Sequence, residues 1–279
     1  MECRKFFNET DSERKKNELV SELTKNAFVL STEGKALRFP IETYLNTSEL
    51  KKYFEGYTSV HFVSEKLYKR YDEKDLHSFF IKIGVNEVPR RLQVNPDLSE
   101  QEKSRLRTED SKHIYLYNET LKDFDLEGLS NFLSSELSLE KSVLLWNILL
   151  KMVDPLKGYE AKSFFDAEYG WVYKSGYYGK IEYLQKNKFD SLFIKRLYNT
   201  KWIFSKEGYL RKPSVITFSQ LNSKYSTENQ NNIEVLKEKL RFNPDAFDQL
   251  PQDYKKRLEL TEGYTPEQLE KILSKSKKE

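Results

Sequence analysis

Trp202-Ile203-Phe204-Ser205-Lys206-Glu207-Gly208, late in the chain, returns the pattern of Phe28-Val29-Leu30-Ser31-Thr32-Glu33-Gly34 near its start. The two stretches lie 174 residues apart, and five of the seven positions keep residue or chemical type. Each sets three large apolar residues before a Ser-x-Glu-Gly turn, and a proline follows (Pro40, Pro213). That is the pattern of a strand-turn-strand unit, and its duplication argues for a repeat-built scaffold rather than one catalytic domain. Phe28 and Trp202 are the expected core anchors of the two copies, and Gly34 and Gly208 the expected turn glycines.

Working outward from this pair, the spacing predicts helices between and around the repeats. Leu19, Val20 and Leu23 predict a short amphipathic helix before the first copy, and Leu76, Phe79, Phe80 and Ile83 another, closed by Gly84. Thr47 or Ser48 caps a helix running to Phe54, and Ser99-x-x-Glu102 reads as a capping box. Val60 to Val63 and His113 to Tyr117 are short β-prone runs. From Leu126 to Val153 the chain predicts two helices, the second apolar on nearly every side and closed by Pro155 and Gly158. Tyr169, Trp171 and Tyr173 alternate, as do Lys180, Glu182 and Leu184, so a hairpin turning near Ser175-Gly176 is expected. A helix from Asp190 feeds the second copy. Helices also follow at Ile233 to Leu240, after Pro251, and at Thr265-Pro266-Glu267. The expected fold is α+β. It comprises two related units, residues 1–125 and 126–279, each a β-hairpin or small antiparallel sheet with packed helices, joined by the buried helix 139–153.

Composition limits the function. At 279 residues the chain suits one large domain or two ordinary ones, and 18 Tyr with 18 Phe are enough to build a core. Forty-seven basic residues against 44 acidic ones leave a charge of +3, which neither demands nor excludes a nucleic-acid partner. The single cysteine, Cys3, rules out an intrachain disulfide and a thiolate zinc site. No apolar run approaches the length of about 20 residues that a membrane span needs, so a cytoplasmic protein without a membrane partner is expected.

Chemistry is sparse. His61, His77 and His113 share no ligand spacing, and no Gly-x-Ser-x-Gly elbow is present. Asp97, Asp110 and Lys112 carry nuclease-type residues, but a metal-dependent nuclease holds them on adjacent strand ends. Here they fall in a charged turn and linker. No catalytic, metal or cofactor site is assigned. The window 168–203 offers the one binding surface: seven lysines and arginines against three carboxylates, with tyrosines and Trp171 interleaved. Exposed aromatics stack bases and lysines neutralise phosphates, so Trp171, Lys174, Tyr177, Tyr178, Lys180 and Lys188 are candidate nucleic-acid contacts. Arg90 and Arg91 are further anion candidates.

Phe189-Asp190-Ser191, Phe193-Ile194 and Leu197, then Thr200-Lys201-Trp202-Ile203-Phe204, Glu207-Gly208 and Pro213-Ser214, carry a family resemblance. The helical end with Thr265-Pro266-Glu267 belongs to it as well. Together they resemble a recurring segment of the large sacsin-like proteins that begin with an Hsp90-type (histidine-kinase-like) ATPase module. Phe79 to Val85 with Pro89-Arg90-Arg91 is similar to the same group's linker between repeats. The resemblance implies a chaperone-like or defence-associated ATPase system. The present chain would then be a region that relays or recruits, with a protein partner or an ATPase module in the same or a neighbouring chain. The ATPase itself is missing: no Asp-x-Gly-x-Gly occurs, and the ten glycines form no phosphate-cradling loop.

Overall fold

The computed structural model describes residues 13–26, 28–32, 36–69, 72–96, 98–107, 114–156, 158–175 and 180–244, with backbone alone at 114–117, 173–175 and 180–184. The fold is α+β, and it divides into two compact units at Arg90/Arg91.

The first unit runs α1 (Glu13–Asn26), β1 (Val29–Leu30), β2 (Leu37–Arg38), a 3-10 turn at Pro40–Glu42, β3 (Thr43–Tyr44), α2 (Ser48–Tyr53), β4 (His61–Phe62), α3 (Glu65–Tyr68) and α4 (Glu73–Lys82). β1 and β2 form an antiparallel hairpin, whereas β3 and β4 pair in parallel, a geometry the hairpin pattern does not foreshadow. Thr47 caps α2, its side chain accepting the Leu50 N–H, and Asp72 caps α4 through the Asp75 N–H. The core gathers Tyr44, Leu50, Tyr53, Phe54, Val63 and Leu76, all buried, with the Tyr44 and Phe54 rings 4.8 Å apart. Gly84 follows α4 at φ 96°, the left-handed backbone expected of a helix-ending glycine.

The second unit begins with β5 (Arg91–Val94), α5 (Glu100–Leu106), β6 (Ile114–Leu126), α6 (Leu129–Ser134) and α7 (Leu139–Val153). α8 (Tyr159–Ser163), β7 (Asp166–Ser175), β8 (Lys180–Asp190) and α9 (Leu192–Asn199) follow. It closes with β9 (Ile203–Phe204), β10 (Leu210–Arg211), 3-10 turns at Pro213–Val215 and Phe218–Gln220, and α10 (Gln230–Lys239). Strands β5-β6-β7-β8 make one antiparallel sheet in that order. The expected boundary at 125/126 is therefore displaced. β6 runs to Leu126, where a helix was expected to open, and pairs with β7, so residues 91–125 belong to the second unit. The charged alternation of Asn118 to Asp125 hid this strand, because its polar residues sit at both faces. α7 likewise lies within the second unit rather than joining two. The helices expected after Pro251 and at Thr265 lie outside the described residues.

Where both are described, the two quoted stretches make matching bonds. Ser31 N–H donates to the Ala36 carbonyl (3.1 Å) and Ser205 N–H to the Tyr209 carbonyl (2.9 Å), each closing its hairpin. Thr32 N–H reaches the Phe62 carbonyl and Lys206 N–H the Gln220 carbonyl, both at 2.8 Å. Ser64 N–H returns to Leu30, and Asn222 N–H to Phe204. A proline-led 3-10 turn follows each hairpin. A later helix of each unit is followed in the same way: after α4 and α10 come a positive-φ residue (Gly84, Arg241) and, two residues on, an asparagine. The asparagine N–H joins the segment after the 3-10 turn, Asn86 to Thr43 (2.9 Å) and Asn243 to Ile216 (3.0 Å).

The anchors do not match. Trp202 is fully buried, and its indole N–H donates to the Leu197 carbonyl at 2.8 Å. Phe28 is 56% exposed, and Val29 fills the first hairpin's buried position instead. Gly208 has φ 83° with open space where a Cβ would sit, so backbone conformation alone selects glycine there. Gly34 lies outside the described residues. The expected outcome is a loss of about 3–5 kcal/mol for Trp202→Ala. Phe28→Ala should cost about 0.5 kcal/mol or less. Urea unfolding followed by circular dichroism measures both, and equal losses would contradict the asymmetry.

Candidate functional site

Most of the basic-aromatic window forms the paired strands β7 and β8, as the alternation predicts, but Tyr169 and Trp171 point inward. Tyr169 and Trp171 are both buried, stacked with ring centroids 5.2 Å apart. The register explains why. Residues two apart on β7 share a face, and that face is covered by α5, whose terminal Leu106 carbonyl accepts from the Asn187 amide on β8. Trp171 is therefore part of the core and offers no platform to a base, which corrects its assignment as a contact.

Under α5 lies a tight polar network. Tyr169 Oη donates to Glu119 Oε1 at 2.7 Å and accepts from Arg107 Nε at 2.7 Å. Arg107 also reaches Glu119 (3.0 Å) and Glu100 (3.3 Å), and Lys103 bridges the same two carboxylates. Ser99 and Glu102 form the expected capping box at the start of α5. Burial, with the Glu119 hydrogen bond, pushes the Tyr169 phenol up to about 12. The network satisfies its own charges and so fastens a helix to a sheet rather than presenting a ligand site.

The predicted cations whose side chains are described, and their neighbour Lys186, are similarly engaged. Lys188 lies over the Tyr159 ring at 4.2 Å, and Lys186 pairs with Glu168 at 2.8 Å. Arg91 is wedged 3.5 Å over the Phe124 ring and 5.1 Å from Phe164, and donates to the Asp166 carbonyl at 2.8 Å. Burial pulls its pKa down, with Asp166 and Asp123 acting against that. It is a packed structural arginine. Arg90 serves the first unit: its backbone N–H donates to Tyr44 Oη (3.1 Å) and its guanidinium to the Ile41 carbonyl (3.2 Å). Tyr177 and Tyr178 lie outside the described residues, as do the side chains of Lys174 and Lys180. Of the predicted contacts whose side chains are described, Trp171 is buried, Arg91 is half-buried among aromatic rings and Lys188 lies over Tyr159. Asp97, Asp110, Lys112, His113 and Cys3 also lie outside the described residues. His77 sits 3.8 Å from Glu73 on α4, and its ring packs edge-on to Tyr68. Among the described residues no three His, Cys, Asp or Glu side chains cluster as a metal site. No described helix is long and apolar enough to cross a membrane.

A cleft of about 1240 Å³ opens beside α8 and α10. Its polar groups bond one another: Asn229 and Asn232 both donate to Asp154 Oδ1 (2.9 and 3.1 Å), and Lys162 pairs with Glu238 (2.6 Å).

Exposed large apolar residues occur singly at Ile81, Leu92, Tyr159 and Tyr209, but they cluster on the first hairpin and the turn after it. Leu37 is 61% exposed, Ile41 59% and Phe39 38%, alongside Phe28. Phe28 and Phe39 face each other across the strands with rings 4.8 Å apart, and Leu30 pairs with Leu37. Two cross-strand apolar pairs therefore occupy the outer face, while Val29 turns inward. A two-stranded ribbon this narrow buries only one of its faces. Apolar residues at period two on both arms (Phe28, Leu30 and Leu37, Phe39) were the available signal, overlooked because Phe28 was expected in the core. The chain matches no protein-family model, no curated protein and no solved structure.

The raised Tyr169 pKa has a definite sign. An unfolded tyrosine loses its proton near 10 while the folded one holds it to about 12, so the stabilisation is full below pH 10 and is lost as pH rises toward 12. Urea midpoints measured across that range should fall, and Tyr169→Phe should flatten part of the fall. An unchanged slope would place the phenol outside the network.

Proposed function

We propose that this chain is a non-catalytic scaffold or interaction region, of the kind found in sacsin-like Hsp90-type ATPase systems, and that its two units carry copies of one structural element. The carrying observation is the paired hydrogen-bond pattern. The closing bonds of Ser31 and Ser205, the returns from Ser64 and Asn222, and the asparagine ties of Asn86 and Asn243 recur in the same order. Local duplication on this scale is the economy of a repeat array, where binding faces are reused while the framework is kept. The exposed apolar hairpin supports a recruiting role, since monomeric surfaces seldom leave such residues clustered. The family, the chaperone-like or defence-associated setting, and a cytoplasmic location belong to this proposal and rest on the quoted motifs.

The decisive experiment pairs the purified chain with an Hsp90-type ATPase module encoded in the same or a neighbouring reading frame. Co-elution in a defined complex, with ATP turnover belonging to the module and none to the chain alone, is the expected result. Oligonucleotide titrations across a salt series should show no tight, steeply salt-dependent affinity. Such an affinity, or turnover by the chain alone, would replace the scaffold with a nucleic-acid-binding or enzymatic protein.

A further inference from the structure

The second unit displays what covers the face that the first unit leaves bare. With Phe28 set against Trp202, the helices that precede the two hairpins also align: Leu19, Val20 and Leu23 of α1 stand where α9 has Phe193, Ile194 and Leu197. The α9 residues are fully buried, whereas those of α1 are only half-buried. Trp202 itself is sealed by α7: the Ser142 hydroxyl donates to the Trp202 carbonyl and lies 2.6 Å from Tyr225 Oη. Tyr225 Oη in turn accepts the Phe204 N–H at 2.8 Å. Leu145, Trp146 and Leu149 continue the stripe begun by Ser142 at i, i+3, i+4 and i+7, and all are buried.

The residue types on the hairpins follow this difference in cover. Matching the arms after the turn sets Phe39 against Lys212 and Ile41 against Ser214. On the second hairpin, which Ser142 of α7 reaches, Trp202 is inside and Lys212 and Ser214 stand in place of Phe39 and Ile41, with Tyr209 at the turn 62% exposed. On the first, with no such helix among the first unit's described residues, Phe28, Phe39 and Ile41 are exposed. A face with no partner gains nothing from Phe28, Phe39 and Ile41, which cost solubility there.

We propose that the outer face of the first hairpin (Phe28, Leu30, Leu37, Phe39 and Ile41) is a docking site for an apolar helix supplied by a partner protein, with an α7-like stripe of small-polar, Leu, aromatic, Leu. This rests on the scaffold reading and specifies the partner element that the scaffold takes. Helix-in-groove recognition uses such i, i+3, i+4, i+7 anchors, and the exposed aromatic pair supplies the central contact.

The test uses the full chain and a defined probe: a fluorescent peptide of this protein's residues 137–155, stapled into a helix and given terminal lysines for solubility. Anisotropy titration should give saturable one-to-one binding. Phe28→Glu and Ile41→Glu should each weaken it about tenfold or more, at unchanged circular dichroism and melting temperature. Leu92→Glu, at an exposed apolar position (37%) on strand β5, is the control and should leave binding intact. No saturable binding to the folded chain overturns the proposal, as does binding indifferent to Phe28→Glu. Sedimentation of the chain alone separates a further case. Self-association abolished by Phe28→Glu would make the occupant a second copy and would overturn the partner helix. These results are independent of co-elution with an ATPase module, so either reading can fail without the other.

Discussion

Trp202 is the point on which the second unit's assembly depends. Its indole N–H is tied to Leu197 at the end of α9, its own carbonyl takes the Ser142 hydroxyl from α7, and its side chain lies wholly out of water. One residue thus fixes the hairpin against two helices. A buried aromatic supplies a large apolar area, and a polar edge needs a partner when dry. Here the indole N–H is met by the Leu197 carbonyl, one of those that the end of α9 leaves free. The four-stranded sheet joins the same construction through Asp123, a buried carboxylate on β6 that accepts the Leu192 N–H at 2.8 Å. A negative charge at the first turn of α9 also suits the helix dipole. Ser191, whose hydroxyl and amide both bond the Phe165 carbonyl, locks the same end from the β7 side.

Charge in this protein is spent on internal fastening more than on surface potential. The 168–203 window looks basic by count, yet its cations that are described lie over aromatic rings or beside carboxylates. Arg196 faces Asp125 at 3.4 Å, and Arg241, just after α10, reaches Asp190 at 2.6 Å while lying 4.3 Å over the Tyr198 ring. Burial raises the pKa of the Asp125 carboxyl, with Arg196 opposing, and raises that of the Tyr198 phenol, with Arg241 opposing. Each pair secures one element to another. A residue count along a strand records composition but not which face each side chain takes or what crosses above it.

What was legible in the sequence follows from the range of the interactions involved. Caps and turns are local, so Thr47, the Ser99–Glu102 box and the Gly84 helix end were readable. Helix α7 was readable because its apolar residues surround the axis, which only a core tolerates. The start of β6 was readable as the β-prone run ending at Tyr117, but its continuation to Leu126 was missed, because it is held by partners far along the chain, β7 on one side and β5 on the other, and its own residues are mostly polar. The hairpin's outer face failed for the opposite reason. Its apolar alternation was visible, but whether an apolar residue is covered depends on an element elsewhere. Phe28 and Trp202 have the same local pattern and opposite burial, and within the second unit Ser142 of α7 reaches Trp202 from 60 residues away, a contact no local pattern records.

This contrast separates what the backbone of such a hairpin demands from what its side chains demand. The framework bonds that close each hairpin run backbone to backbone and tolerate almost any side chain, so they persist as the sequence drifts. The outer face has no such tolerance, because its side chains answer to whatever covers them. Under α7, a tryptophan became the buried anchor and the rim turned to Lys212 and Ser214. On the open copy the rim carries Phe39 and Ile41 beside Phe28, a composition that water alone would select against. Arg241 and Gly84 make the same argument in backbone terms. Both take a positive φ after their helix, but the arginine can occupy that strained position because Asp190 and the Tyr198 ring hold its side chain, whereas the glycine needs no such support. The covered copy has side-chain partners at both its hairpin and its helix end, and the bare face of the other is where a partner from outside the unit would have to act.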